Sequence, residues 1–166
     1  SNHTVNNTSD EQTVTNATSD QSIDEDSALS FSMPSDTVND VDAGDSLTYT
    51  ATISDGSARP TWLSFDASNL TFSGTPVNEN VGSLDITVTA TDGSSISVTD
   101  SFTLTVNNTN DAPTLANAIS DQSIDEDSAL SFSMPSDTFN DVDAGDSLTY
   151  TATLRDGSAL PSWLSF

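Results

Sequence analysis

The sequence predicts an all-β chain made of β-sandwich units that repeat in tandem. Three observations support this prediction: apolar residues alternate with polar ones in short runs, turn-forming residues cluster between the runs, and the chain matches itself at an offset of 101 residues. Alternation with a period of two is typical of strands that have one buried and one solvated face. The chain is therefore expected to fold through packed sheets.

The strands can be followed in order through the first copy of the repeat. After an entry strand that contains residues 24–26, alternating runs lie at 29–33, 47–53, 62–65, 70–72, 84–90 and 102–106. Turn residues separate them at 33–36, 43–45, 55–57, 73–76 and 92–94. Seven short strands in about a hundred residues fit an immunoglobulin-like β-sandwich. Trp62 and its copy Trp163 are expected to fill the core of that sandwich.

The repeat sets the expected domain boundaries. Residues 3–65 and 104–166 differ at 12 of 63 positions, which indicates a tandem array of units of 101 residues. We expect residues 1–10 to be the tail and linker of a preceding repeat, residues 11–111 to be one complete unit, and residues 112–166 to be the N-terminal half of the next. A half unit cannot bury both faces of a sheet, so we expect a longer chain or a neighbouring chain to complete it.

Charge and composition exclude several classes of partner. The chain has 26 acidic residues against two basic ones, and its net charge is −24. Such a chain repels phosphate backbones and anionic lipid heads, so neither nucleic-acid binding nor docking on a membrane surface is expected. No apolar run is long enough for membrane insertion. Because Cys is absent, metal sites would use oxygen ligands, and cations are the natural partners.

The sequence offers little for catalysis. It has no Cys, no Lys, no His inside the repeat and no nucleophile elbow. Paired carboxylates serve glycoside hydrolases, but here they fall in turns that recur with the repeat, which would give every repeat its own active site. We therefore predict that the protein is not an enzyme.

Acidic residues concentrate at four places in each unit. These are residues 24–26 on the entry strand, residues 40–45 with their copy at 141–146, Asp92 at the end of a strand, and the junction 107–113. In the second group, two carboxylates separated by one residue can reach the same ion, and Gly44 lets the backbone bend around it. The order does not match an EF-hand loop, in which a bidentate Glu would stand at Ala51. The residues alone leave two interpretations open, a solvated turn or a calcium site.

The four groups taken together resemble a known pattern. Their order is Ile-Asp-Glu-Asp from residue 23, Asp-Val-Asp-Ala-Gly-Asp from residue 40, Val-Thr-Ala-Thr-Asp-Gly from residue 88 and Asn-Thr-Asn-Asp-Ala-Pro from residue 108. This order is similar to the calcium-binding pattern of cadherins. The segments 60–65, 73–76 and 81–82 are similar to the dystroglycan-type cadherin-like and putative Ig-like repeats of large bacterial surface adhesins. The resemblance covers the whole repeat and implies a cadherin-like sandwich that holds Ca²⁺ between successive domains.

The resemblance implies two calcium sites. At the front junction the implied ligands are Asp10, Asp40, Asp42, Asp45 and Asp92. At the second junction the implied ligands are Asn110, Asp111, Asp141, Asp143 and Asp146, with Glu25 of the first unit contributing from the other side. The counterpart of Asp92 in the second unit would lie beyond Phe166, so we expect the front site to be the more complete.

Three functions from different classes follow as hypotheses. The favoured one is a calcium-rigidified spacer repeat in a long extracellular adhesin or surface fibre, whose partners are neighbouring repeats of the same chain. The second is a self-assembling extracellular filament in which identical chains complete one another's half units by strand exchange. The third is an accessory module that binds carbohydrate or protein, which requires a cluster of exposed aromatic residues. We expect the protein to work outside the cell or at its surface.

Overall fold

The chain forms two structural units. The computed structural model describes Thr8, residues 10–42 and residues 46–166, and the chain divides into Ser1–Thr109 and Asn110–Phe166. Within the described residues the one helix is the single 3-10 turn Asn78–Asn80. The all-β class predicted from the sequence is confirmed.

Among the described residues, nine strands lie in the first unit and two in the second. In chain order they are β1 (Thr13–Val14), β2 (Gln21–Asp24), β3 (Leu29–Ser32), β4 (Val38–Asn39), β5 (Thr48–Ile53), β6 (Leu63–Asp66), β7 (Thr71–Gly74), β8 (Gly82–Thr91), β9 (Ser97–Asn107), β10 (Thr114–Leu115) and β11 (Phe139–Asn140). The longest, β8 and β9, cover the alternating runs predicted at 84–90 and 102–106.

Seven of these strands form the two sheets of a sandwich. The four-stranded sheet has the order β2-β9-β8-β5, and the three-stranded sheet has the order β3-β7-β6. β2 runs parallel to β9, with Gln21 opposite Leu104, and the other neighbours in these sheets are antiparallel. Sheets of this size and order are typical of immunoglobulin-like folds, so the predicted sandwich is confirmed.

The core lies between the two sheets because the strands turn their apolar alternate residues inward. Along β8 and β9 every second residue is buried over most of the strand. Phe72 on β7 is fully buried, and its ring centroid lies 4.6 Å from that of Phe65, 5.2 Å from that of Phe31 and 5.5 Å from that of Phe102. Since Phe102 belongs to the other sheet, this aromatic group joins the two layers.

Trp62 packs against this core, as the sequence predicts, and it determines which residue can stand at position 74. Gly74 has a φ angle of +155°. A Cβ atom at this position would lie 1.9 Å from the carbonyl oxygen of Trp62. Only glycine fits so close to the neighbouring backbone.

The second unit has one small sheet and an open apolar face. β10 pairs with β11, with Leu115 opposite Phe139. Every residue of Asn110–Phe166 is described, and the unit contains no counterpart of β7, β8 and β9. Trp163 is 70% exposed. The expectation that its indole fills a core is therefore wrong in this unit, because the strands that cover the equivalent Trp62 have no equivalent here.

An apolar groove crosses the open face of the second unit. Its volume is about 430 Å³, and its lining includes Leu130, Phe132, Met134, Tyr150 and Leu164. The equivalent residues of the first unit are Leu29, Phe31, Met33, Tyr49 and Leu63, and these belong to its core or pack against that core. The groove is therefore one half of a sandwich core.

Candidate metal centre

The first Asp cluster begins where β4 ends. The backbone N–H of Asp42 donates to Asp40 Oδ1 at 2.8 Å, which forms an Asx turn directly after the strand. The carboxylate of Asp42 is 7% exposed, and its Oδ2 accepts the backbone N–H of Asp10 at 2.7 Å. The turn therefore ties the D-x-D loop to the residues that precede β1.

Another carboxylate reaches this cluster from the end of β8. Oδ1 of Asp92 accepts the backbone N–H groups of Ser94 and Ile96, both at 2.8 Å. These bonds close the turn between β8 and β9 and fix the side chain. Asp92 is 6% exposed, and its Oδ2 accepts the side-chain N–H of Gln12 at 2.6 Å. Gln12 and Asp92, which are 80 positions apart in the sequence, thus meet at one end of the sandwich.

Gln12 connects Asp92 with the D-x-D loop. Its Nε2 also lies 3.4 Å from Asp40 Oδ2, so the two carboxylates share one amide nitrogen. The side chain is 2% exposed. Gln12 is not among the ligands predicted from the sequence. The one signal at this position is a difference between the two copies of the repeat, since the second copy has Pro113.

The only Arg of the first unit makes its hydrogen bonds away from this cluster. The guanidinium group of Arg59 donates to the carbonyl oxygens of Ala51 and Leu63 at 3.1 and 2.6 Å. The clustered carboxylates concentrate negative charge at one end of the sandwich, and a cation would lower the repulsion between them. Asp45, the remaining predicted ligand of this site, lies outside the described residues.

The second unit contains a cluster of three carboxylates. One oxygen from each of Asp141, Asp143 and Asp146 lies within 4.8 Å of the others. The backbone N–H of Asp143 donates to Asp141 Oδ1 at 3.0 Å, and the backbone N–H of Asp146 donates to the carbonyl oxygen of Asp143 at 3.3 Å. These bonds fold the loop so that three negative groups converge. Such a cluster can hold a metal ion.

One atom of this cluster is buried without a partner. Asp143 is 6% exposed, its Oδ2 accepts the backbone N–H of Asp111 at 2.6 Å, and its Oδ1 has no hydrogen-bond partner. A buried carboxylate oxygen is costly unless it is paired. A bound cation would remove that cost.

The two predicted junction residues before β10 take different roles. Asp111 supplies the backbone N–H that binds Asp143. Asn110 is exposed, and its Nδ2 donates to the carbonyl oxygen of Asp111 at 2.8 Å. The structure therefore brings Asp111, Asp141, Asp143 and Asp146 together, with Asn110 at the edge.

The two clusters are copies of one local structure. The bond from Asp10 to Asp42 in the first unit corresponds to the bond from Asp111 to Asp143 in the second, at 2.7 and 2.6 Å. The Asx turn recurs as well, at 2.8 and 3.0 Å. The arrangement is therefore a property of the repeat.

Glu25 lies at the opposite end of the four-stranded sheet from Asp92. Asp24 pairs with Asn107 at one end of this sheet, whereas Thr91 pairs with Ser97 at the other. Each acidic residue directly follows its strand end.

Burial makes Glu25 chemically unusual. The residue is 2% exposed, its Oε1 accepts the backbone N–H of Thr109 at 2.9 Å, and its Oε2 has no hydrogen-bond partner. A buried carboxylate with one open oxygen is suited to a cation. The complete unit therefore carries acidic groups at both ends.

Comparisons with known proteins agree with the fold. The family described as "Putative Ig domain" matches residues 11–107 and 112–166. No match is found among curated proteins. Within the described residues, no helix has the length and apolar character needed to cross a bilayer.

Solved structures that match parts of the chain include an enzyme and two titin fragments. An endo-fucoidan hydrolase from glycoside hydrolase family 107 is 25% identical with a TM-score of 0.43, over 55% of this chain and 12% of that chain. Titin domain M7 is 20% identical with a TM-score of 0.40, over 61% of this chain and 99% of that chain. The titin domains Z1Z2 in complex with telethonin are 19% identical with a TM-score of 0.41, over 66% of this chain and 54% of that chain. The chain thus spans a small part of the enzyme that it matches.

Proposed function

The chain belongs to the Putative Ig domain family, and on that premise we propose that it is a calcium-rigidified spacer repeat of a long extracellular adhesin or surface fibre. The family fits a non-catalytic, extracellular module. The partners in this proposal are neighbouring repeats of the same chain. A spacer needs length and stiffness more than distinct surfaces, which agrees with copies that differ at 12 of 63 positions.

One observation carries the proposal. Asp141, Asp143 and Asp146 converge within 4.8 Å, and one oxygen of Asp143 is buried without a hydrogen-bond partner. Three converging carboxylates repel one another unless a cation lies between them. The same local structure begins both units, so the repeat would carry one cation site at each junction.

Calcium suits this donor set better than the other common metals. The candidate ligands are carboxylate and carboxamide oxygens, and Cys is absent from the chain. Zinc and copper favour nitrogen and sulfur, whereas calcium accepts six to eight oxygens in flexible geometry. Extracellular modules need an affinity of only about 10⁻⁴ to 10⁻³ M.

Rigidity would come from binding between successive units. The complete unit ends in the buried carboxylate of Glu25, with its open Oε2, while each unit begins with an Asp cluster. In an array, the Glu25 end of one unit precedes the Asp cluster of the next. An ion that binds both would replace repulsion by coordination and lock the junction.

Small-angle scattering on the whole chain tests the proposal. We expect calcium to narrow the distribution of interunit distances relative to chelator, and the Asp141→Asn, Asp143→Asn double variant to lose this response. The double variant Asp121→Asn, Asp125→Asn is the matched control, since it removes the same charge from exposed positions. An identical scattering profile in calcium and chelator would contradict rigidification.

The open face of the second unit favours a second candidate, a filament joined by strand exchange. Trp163 and Phe166 are 70% and 72% exposed, and a strand pair from an identical chain would cover them. This candidate predicts polymers whose length grows with protein concentration in sedimentation experiments. A monomer at all concentrations would exclude it.

The exposed aromatic residues do not favour an accessory binding module. Phe132, Tyr150 and Trp163 are exposed, but their equivalents in the complete unit, Phe31, Tyr49 and Trp62, pack against its core. They are therefore core positions of a sandwich and not a platform for sugar stacking.

A further inference from the structure

Gln12 is the most deeply buried polar side chain at the first Asp cluster. It is 2% exposed, and its Nε2 donates to Asp92 Oδ2 at 2.6 Å and lies 3.4 Å from Asp40 Oδ2. A neutral amide N–H group thus stands between two carboxylates, and a cation bound by both carboxylates would lie next to this amide.

The oxygen of the Gln12 amide accepts no hydrogen bond. Gln12 Oε1 is buried and has no hydrogen-bond partner. A half-turn of the terminal amide exchanges its oxygen and nitrogen with almost no change in shape. After that turn the oxygen faces the carboxylates of Asp92 and Asp40, which is unfavourable in the absence of an ion and favourable next to a cation that they bind.

We propose that Gln12 is a two-position ligand of the first Asp cluster, an inference that rests on the proposed calcium binding. In one position its N–H group holds Asp92 and Asp40 together as a neutral donor. In the other, its Oε1 is a ligand of the bound calcium ion. The same side chain therefore organises the cluster without the ion and completes the coordination with it.

This role distinguishes the first cluster from the second. The second unit has Pro113 at the equivalent position, and proline has no side-chain donor or acceptor. A carboxamide oxygen adds a ligand without adding charge. Calcium, which accepts six to eight oxygens, uses such a ligand better than magnesium, which demands six in octahedral geometry and retains water. Gln12 should therefore raise the selectivity of the first cluster for calcium.

The test uses the whole chain with the second cluster disabled by Asp141→Asn and Asp143→Asn. In this parent, calcium and magnesium affinities are measured by isothermal titration before and after Gln12→Met, a substitution that keeps the volume and removes both polar atoms. We expect calcium affinity to fall about tenfold, the lower end of the effect of losing a group that organises a metal site. Magnesium affinity should change less. Gln122→Met is the matched control, since Gln122 is exposed and its amide donates to the carbonyl oxygen of Ser120 at 3.1 Å.

A spectroscopic readout separates a ligand from a structural support. The carbon resonance of the Gln12 carboxamide should shift on calcium titration, while that of Gln122 stays fixed. Gln12→Glu restores an oxygen ligand, so it should bind calcium at least as tightly as the parent. In chelator, its added charge beside Asp92 should lower the unfolding midpoint.

The outcomes are distinct. Unchanged or tighter calcium binding by Gln12→Met, or a carboxamide resonance that does not move, would overturn the ligand role while leaving calcium binding itself intact. If Gln12→Met fails to fold, the Gln12→Glu titration and the resonance shift decide the question. A parent that binds no calcium would overturn the proposed function and this inference together.

Discussion

The two units of the chain share most of their sequence but only part of their structure. The shared part is short-range. The turn at Gly56 has φ of +86° and its copy at Gly157 has φ of +85°, and the bond from Gly56 to Ile53 recurs from Gly157 to Leu154, both at 2.8 Å. The Asp clusters belong to this shared part as well.

The long-range part differs. Phe31 packs against both Phe72 and Phe102 in the first unit, whereas its copy Phe132 is 49% exposed in the second. The strands that supply Phe72 and Phe102 have no counterpart in Asn110–Phe166. The geometry of the candidate metal cluster therefore depends only on the loop and junction of each unit. The sandwich depends on strands that are distant in sequence.

Completing the second unit should give the largest effect. We expect an extension of Phe166 with a copy of residues 66–107 to form a second sandwich, because the groove has the same apolar residues as the core of the first unit. Tryptophan emission should shift to the blue as Trp163 leaves water. The matched extension with Phe72→Asp in the added copy should not produce the shift. If the emission maximum does not shift with the unaltered extension, the missing strands alone do not explain the difference between the two units.

Truncating an equivalent Phe in each unit should give the next largest effect, a difference in the stability that each unit loses. Phe31→Ala should lower the free energy of unfolding of the first unit by about 3 kcal/mol or more, since it leaves a cavity between buried rings. Phe132→Ala should change stability by no more than about 0.5 kcal/mol, because Phe132 is half exposed and no opposite sheet covers its ring. Denaturant unfolding measures both, and equal losses would contradict the comparison.

Calcium binding to each Asp cluster should stabilise the unit that contains that cluster. Calcium at about 100 times Kd should stabilise the unit that binds it by about 2.7 kcal/mol. We expect Asp40→Asn with Asp42→Asn to remove this gain from the first unit, and Asp141→Asn with Asp143→Asn to leave the first unit's gain in place. Isothermal titration should show one ion lost in each double variant. The loss of both ions in either variant would show that the clusters are not separate.

The smallest effect should come from the turn that both units share. Hydrogen bonds from Ser57 lower the pKa of Asp55 below 3.8, and hydrogen bonds from Ser158 lower the pKa of Asp156 in the same way. The ionised carboxylate therefore stabilises the turn above about pH 4, and this contribution disappears as the pH falls through the lowered pKa. Asp55→Asn should lower the unfolding midpoint slightly at neutral pH, and this difference should shrink as the pH falls below 3.8 through the lowered pKa. A difference that grows toward low pH would contradict this assignment.

The sequence predicts the strands well where alternation is long. Both β8 and β9 follow from period-two runs, but the run predicted at 70–72 begins one residue late, at Thr71, because Leu70 takes a φ of +55° in the turn. The pair β1 and β4 was not predicted. Strands of two residues are too short to show alternation.

Only those contacts of the candidate site that join residues close together in the sequence could be predicted. The D-x-D spacing predicts a turn that gathers two carboxylates, and the structure forms it twice. Gln12 could not be found in this way, since its contact with Asp92 spans 80 positions and a neutral residue carries no charge pattern. The burial of Glu25 likewise depends on the parallel pairing of β2 with β9, which no local pattern shows.

Thermal unfolding followed by fluorescence is the direct test of whether the Asp cluster of the first unit binds calcium. Trp163→Phe leaves Trp62, which packs against the core, as the single reporter of the complete unit. We expect the midpoint to be higher in millimolar calcium than in chelator, because a ligand of the folded state stabilises that state. Millimolar magnesium should not reproduce the rise. The same midpoint in calcium, magnesium and chelator would contradict the claim that the Asp cluster of this unit is a calcium site.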